Sequence, residues 1–234
     1  MLHTRIFQFN PLGTNCTVIW ADENHSCVVA DPGMSSDEGE KELLDFFAKE
    51  GLTPVAILLT HGHFDHVWGV ERLLAKYSIP VYMHPLDKEI LADGAKAFRG
   101  MQSMKMLRHN FPTVDVADGE ALTLAGISWK VLHTPGHTPG GVCYWCQDGG
   151  VLLSGDTLFA GSIGRTDLGG GDYDVLMTSI REKLLTLPGD TDVIPGHGQP
   201  TNIAQEGMHN PFLQPFNEPD GDFPEEGIVI NGIE

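Results

Sequence analysis

The chain has 234 residues, 41% of them hydrophobic, and a formal net charge of -18. That length fills one large globular domain and the composition is too apolar for a disordered chain. A charge so negative argues against nucleic-acid partners, which call for a basic footprint, and no apolar run approaches the roughly 20 residues that span a bilayer.

The opening segment, MLHTRIFQFNPLG, carries neither a basic leader nor a long apolar stretch, so a cytoplasmic protein with no membrane partner is expected. Strands are predicted at TRIFQF, NCTVIW and SCVVAD, the last two joined through ADENH as a hairpin. A helix follows in SSDEGEKELLDFFAKEG, with Ser35 or Ser36 as cap, Leu43, Leu44, Phe46 and Phe47 as its buried stripe and Gly51 past its end. PVAILLT is nearly continuous in apolar residues, the pattern of a strand covered on both faces. Val67, Val70, Leu73, Leu74 and Tyr77 recur at helical intervals and predict a helix from about His66 to Tyr77.

Residues 94–112 hold Lys96, Arg99, Lys105 and Arg108 and no acidic residue. They read as a helical connector with a solvated basic face, or as a pocket wall attracting an anionic small molecule. Met101, Met104 and Met106 are expected to pack there. Strands are then predicted at ALTLAG, ISWKVLHT, GGVCYWC and VLLSGD, a helix at DYDVLMTSIREKLLTL, and a short strand at DVIPG. The inventory suits two sheets packed face to face with helices outside, in an α+β single domain over residues 1–210. Residues 211–234 contain four prolines, six acidic residues and no Lys or Arg, and are expected to form an acidic tail. Within it GIVING is a candidate edge strand for this or a neighbouring subunit, which would make the protein a homo-oligomer.

Cysteine is scarce, as in a reducing compartment. Cys143 and Cys146 form a C-x-x-C, but in a strand residues three apart face opposite ways, so packing explains them better than redox or zinc chemistry. No role falls to Cys16 or Cys27. His3, His25, His84, His109, His133 and His209 are read as polar loop residues.

The chemistry gathers elsewhere. THGHFDHVWG places three histidines and an aspartate within six residues at the end of a strand. His61 and His63, two apart, share a side only of an extended chain, while Asp65 and His66 fall at the start of the next helix and turn toward a second position. Other apolar strands run into His137, Asp156 and His197 through glycine-containing turns, whose glycines let backbone come close to a metal. Seven donors are too many for one tetrahedral zinc and suit two metals, with Asp156 bridging.

THGHFDH, HTPGHTPG, SGDTLF and IPGHG, in that order, resemble the motifs of the metallo-β-lactamase superfamily and, within it, the glyoxalase II-like (hydroxyacylglutathione hydrolase-like) hydrolases. The resemblance covers about residues 1–210 and implies a four-layer αββα sandwich. It implies that His61, His63 and His137 hold one metal, that Asp65, His66 and His197 hold the other, and that Asp156 bridges both. Zinc is the expected metal, with iron or manganese as alternatives. The resemblance further implies a thioester hydrolase acting on an anionic small molecule through a metal-bridging hydroxide that Asp65 orients, two ions lowering the pKa of bound water to roughly 7. Arg165 is the candidate for gripping a substrate carboxylate. The alternative is a persulfide dioxygenase-like oxidoreductase with one iron on His61, His137 and Asp156, the facial arrangement of non-haem iron; lactonase or phosphodiesterase activity is a further alternative. True β-lactamases carry a cysteine near the place of Asp156 and a secretory signal, so antibiotic cleavage is not expected.

Overall fold

The computed structural model describes residues 1–22, 25–93 and 109–214. Two six-stranded sheets make the frame. The first runs β1 (Leu2–Gln8), β2 (Asn15–Ala21), β3 (Ser26–Ala30), β4 (Thr53–Leu58), β5 (Val81–Met83), β6 (Val114–Asp115), antiparallel up to β3 and parallel beyond it. The second, formed from β7 (Ala121–Leu124), β8 (Ile127–His133), β9 (Val142–Cys146), β10 (Val151–Gly155), β13 (Asp192–Pro195) and β14 (Thr201–Asn202), has the order β14-β13-β10-β9-β8-β7. Only its β10/β13 pair is parallel. Two short strands, β11 (Leu158–Phe159) and β12 (Ser162–Ile163), pair with each other beside the second sheet.

The period of two along the strands sorts their side chains into layers. On β3, Val28 and Ala30 point between the sheets while Cys27 and Val29 point outward. On β9, Tyr144 and Cys146 point between the sheets and Cys143 outward, so the C-x-x-C spans two cores and its thiols are buried and unpaired. Outside the first sheet lie α1 (Asp37–Glu50), α2 (Phe64–Val67) and α3 (Val70–Leu74), contributing Leu43, Phe47, Val67, Val70 and Leu73 to its outer core. Outside the second lie α5 (Tyr173–Ser179) and α6 (Ile203–His209), bringing Leu176, Met177 and Ile203. The fourth helix in chain order, α4 (Lys88–Ala92), follows a single 3-10 turn at Pro85–Asp87. The expected four-layer αββα sandwich is therefore present.

Ser36 caps α1 by accepting the Gly39 N–H, and Gly51 closes it in the left-handed conformation, φ 68°. Leu44 and Phe46, expected in the buried stripe, are only partly covered. The helix expected over His66–Tyr77 is two helices broken at Trp68 and Gly69. Gly69 donates to Pro32 O at 2.7 Å, and a Cβ there would meet that oxygen at 2.6 Å, so packing onto the Pro32–Met34 turn overrides helical periodicity. The helix predicted at DYDVLMTSIREKLLTL also splits, α5 passing into a π-helical turn at Ile180–Leu184. Leu213 is buried against the α5/α6 layer whereas Phe212 is exposed. The GIVING strand, Met101, Met104, Met106 and the basic residues 96–108 lie outside the described residues. Among those described, no helix is long and apolar enough to cross a membrane.

Tyr144 ties the two sheets together: its buried hydroxyl donates to Leu59 O, just past β4, at 3.0 Å. Tyr144→Phe is expected to cost about 1–3 kcal/mol, since it removes the donor serving a buried carbonyl. Denaturant unfolding checks this; an unchanged midpoint would mean the bond contributes nothing.

Candidate metal centre

Every predicted ligand leaves a strand at the same edge of the sandwich. β4 runs into Thr60, His61 and His63, with Asp65 and His66 on α2. β8 runs into the loop holding His137, β10 into Asp156, and β13 into Gly196 and His197. The structure brings all seven side chains together. His61 Nε2 lies 3.0 Å from His63 Nδ1, and His137 Nε2 lies 2.9 Å from that same Nδ1 and 3.3 Å from Asp156 Oδ2. A second group gathers around His66 Nε2, which is 3.3 Å from His197 Nε2, 3.5 Å from Asp65 Oδ2 and 3.5 Å from Asp156 Oδ1. Tetrahedral bonds of about 2.0–2.1 Å put ligand atoms about 3.3 Å apart, which is the spacing seen here. Asp156 lies between the two, 3.3 Å from His137 Nε2 and 3.5 Å from His66 Nε2, and its donor atom also converges with those of His61 and His66; its buried Oδ1 has no hydrogen-bond partner. The donor set therefore fits two cations.

Hydrogen bonds behind the ligands fix which nitrogen faces inward. His66 Nδ1 is 3.0 Å from Asp31 Oδ2, His137 Nδ1 is 2.7 Å from Arg165 O, and His197 Nδ1 is 3.1 Å from Leu12 O. Burial and the neighbouring imidazoles hold His61 and His63 well below the usual histidine range, which keeps both neutral, as a ligand must be. For His66 burial works downward too, but Asp65, Asp31 and Asp156 outweigh it and push the ring up to about 10. Burial would raise Asp65, yet His66, His197 and the Thr14 hydroxyl, which donates to Oδ2 at 2.6 Å, hold it below the ordinary carboxylate value. The second group thus carries an ionised carboxylate of its own, whereas His61 and His63 of the first are held neutral.

Three supporting residues escaped the sequence reading. Asp31 ends β3 and accepts from Thr60 N at 2.8 Å and Thr60 Oγ1 at 2.6 Å as well as facing His66. Its position after SCVVA is the same strand-then-aspartate pattern that marked Asp156, and could have been found by it. Thr14 and Asp87 carry no such signal. Close approach also needs Gly196, where a Cβ would run into Asp156 Oδ1 and meet His66 Cε1 at 2.8 Å. Arg165 stands at the rim with its guanidinium held by Asp167 through two bonds of 2.7 Å, and its charge reaches His63. Of the histidines read as loop residues, His84 and His109 are buried, and His84 stacks on His133 with ring centroids 4.1 Å apart. Stacking on a neighbouring ring, rather than solvation, accounts for His84.

Residues 9–197 match the metallo-beta-lactamase superfamily domain. The chain is 42% identical over 208 residues to a probable metallo-hydrolase, YqgX, of Bacillus subtilis (strain 168), covering 88% of this chain and 95% of that protein. It is 38% identical over 212 residues to the hydroxyacylglutathione hydrolase GloC of Haemophilus influenzae, covering 85% and 92%. Among solved structures it is similar to the BLEG-1 B3 metallo-beta-lactamase, with TM-score 0.83, 41% identity and coverage of 90% and 99%. It is also similar to TTHA1623 in a di-iron-bound form, with TM-score 0.77, 39% identity and coverage of 89% and 100%. A family match over most of the chain, on a site with this donor set, carries one conclusion: the chain is a metallo-hydrolase belonging to the metallo-beta-lactamase superfamily.

Proposed function

We propose that the protein is a thioester hydrolase of the hydroxyacylglutathione type, working with two divalent ions, zinc first among them. The observation that carries this reading is Asp156, whose two oxygens sit within 3.3–3.6 Å of ring nitrogens in both ligand groups. His61, His63, His137 and Asp156 would hold one ion, and Asp65, His66, His197 and Asp156 the other. Bound there, such ions acidify water and polarise a carbonyl oxygen. Asp65, kept ionised and anchored by Thr14, would orient the attacking hydroxide. His197, 28% exposed where its fellow ligands are nearly covered, marks the side open to substrate. A thiolate leaves without an acid, in keeping with the lack, among the described residues, of a Ser/His/Asp set around the cluster. Arg165, with donors to spare beyond Asp167, takes a substrate carboxylate at the rim. The likeness to GloC supports the thioester, and the likeness to a di-iron protein supports two ions while leaving iron as an alternative metal.

Protein purified without added metal is expected to carry about two ions per chain, to lose lactoylglutathione hydrolysis on chelation, and to regain it with zinc or iron. One iron per chain, with oxygen uptake on glutathione persulfide and no thioester cleavage, would replace this reading by the dioxygenase. Cleavage of a β-lactam, a lactone or a phosphodiester in preference to the thioester would keep the site and overturn the substrate.

A further inference from the structure

Asp87 is the most deeply buried carboxylate that the proposed chemistry leaves unused. It is fully covered, at the last residue of the 3-10 turn that follows β5, on an element that supplies no ligand of its own. Its Oδ2 accepts from Gly62 N and from Thr138 Oγ1, each at 2.8 Å, and its Oδ1 accepts from Gly140 N at 2.6 Å. Gly62 lies between His61 and His63, and Thr138 follows His137 directly. One carboxylate therefore clasps the two loops that carry the three-histidine group, from partners 25 and 53 residues away in sequence. The contact is close on both sides. A Cβ on Gly62 would meet Asp87 O at 3.0 Å, and one on Gly140 would meet Asp87 Oδ1 at 2.6 Å.

All three bonds run toward Asp87, and no ion pair of Asp87 is present among the described residues. Burial pushes its carboxyl above the usual carboxylate range, and the three bonds work against that. We propose that Asp87 is the positioning residue of the first metal site, setting the spacing of the two loops that carry its histidines. The second site has further anchors in Asp31 and Thr14, neither of which bonds to Asp87.

This inference rests on the two-site metal reading, and the test separates the two. Zinc affinity is measured by chelator competition in His197→Ala, which leaves the first site, and in His61→Ala, which leaves the second. Each is compared with and without Asp87→Asn, and metal-free thermal stability is recorded alongside. Asparagine keeps the shape but offers an amide NH2 where one or two donors converge. Asp87→Asn is expected to weaken zinc about 10–100-fold in the His197→Ala background and less than threefold in the His61→Ala background, in line with losses seen when groups supporting metal ligands are changed. Equal weakening in both backgrounds that tracks a fall in metal-free stability would make Asp87 a merely structural residue and overturn the proposal. Unchanged affinity in both would also overturn it. Failure of either parent variant to bind one zinc would instead overturn the two-site reading itself, and the inference with it.

Discussion

Asp156→Asn is expected to reduce bound metal from two ions to one or fewer and to lower thioester turnover by more than about 100-fold, beyond the 10–100-fold typical for residues that only support ligands. Oδ2 lies 3.3 Å from His137 Nε2 and 3.6 Å from His197 Nε2, and Oδ1 lies 3.5 Å from His66 Nε2. Both oxygens are thus committed, Oδ1 toward the second ligand group and Oδ2 toward both. An amide has one oxygen, and its NH2 turns two hydrogens toward whichever cation it faces. The stability outcome runs the other way. Oδ1 is buried without a hydrogen-bond partner, and in the metal-free protein the carboxylate is balanced, among the described residues, only by the His66 and His197 rings 3.5 and 3.6 Å away, a pairing that does not repay its desolvation. Removing that charge is expected to leave the metal-free melting temperature unchanged or raised. Metal analysis, turnover and thermal melts on one preparation check all three. Two retained ions with activity within tenfold of the parent would show that Asp156 does not bridge.

The ligands were legible in the sequence because strand ends are local features. An apolar run, a glycine and then a histidine or aspartate can be read within ten residues, and four such runs had to meet somewhere. The layers were legible for the same reason, since β3 and β9 alternate faithfully between two cores. What escaped depends on partners far along the chain. Asp87 sits in HPLD, which reads as a turn, and acquires its meaning only when Gly62 and Gly140 arrive beside it. Thr14 acts on Asp65 across 51 residues. The break at Gly69 has the same origin, because helical periodicity continues through Trp68 while the Pro32–Met34 turn claims the space. His84 and His109 were misread as solvated since a lone histidine in a polar stretch looks the same whether or not another ring covers it.

Asp31 offers the second large effect, and its alanine and asparagine variants are expected to part company. Asp31 has φ 46°, a conformation that non-glycine residues other than Asn and Asp seldom adopt. Asp31→Ala adds strain there and strips acceptors from Thr60 N, Thr60 Oγ1 and His66 Nδ1 at a site only 3% exposed. A loss of about 3–5 kcal/mol is expected, the scale for breaking a buried charged network by removing one partner. Asn keeps the backbone conformation and one oxygen for Thr60, so Asp31→Asn is expected to cost only about 1–2 kcal/mol. Its amide, however, presents N–H to His66 Nδ1. That favours the tautomer with hydrogen on Nε2, the atom that faces Asp65, Asp156 and His197 and must offer a lone pair to a cation. Zinc affinity at the second site is therefore expected to fall about 10–100-fold in Asp31→Asn while the fold survives. Denaturant unfolding of the metal-free variants, with chelator competition in the His61→Ala background, separates the two effects. If asparagine costs as much stability as alanine, or leaves second-site affinity intact, Asp31 acts through packing alone and not by orienting His66.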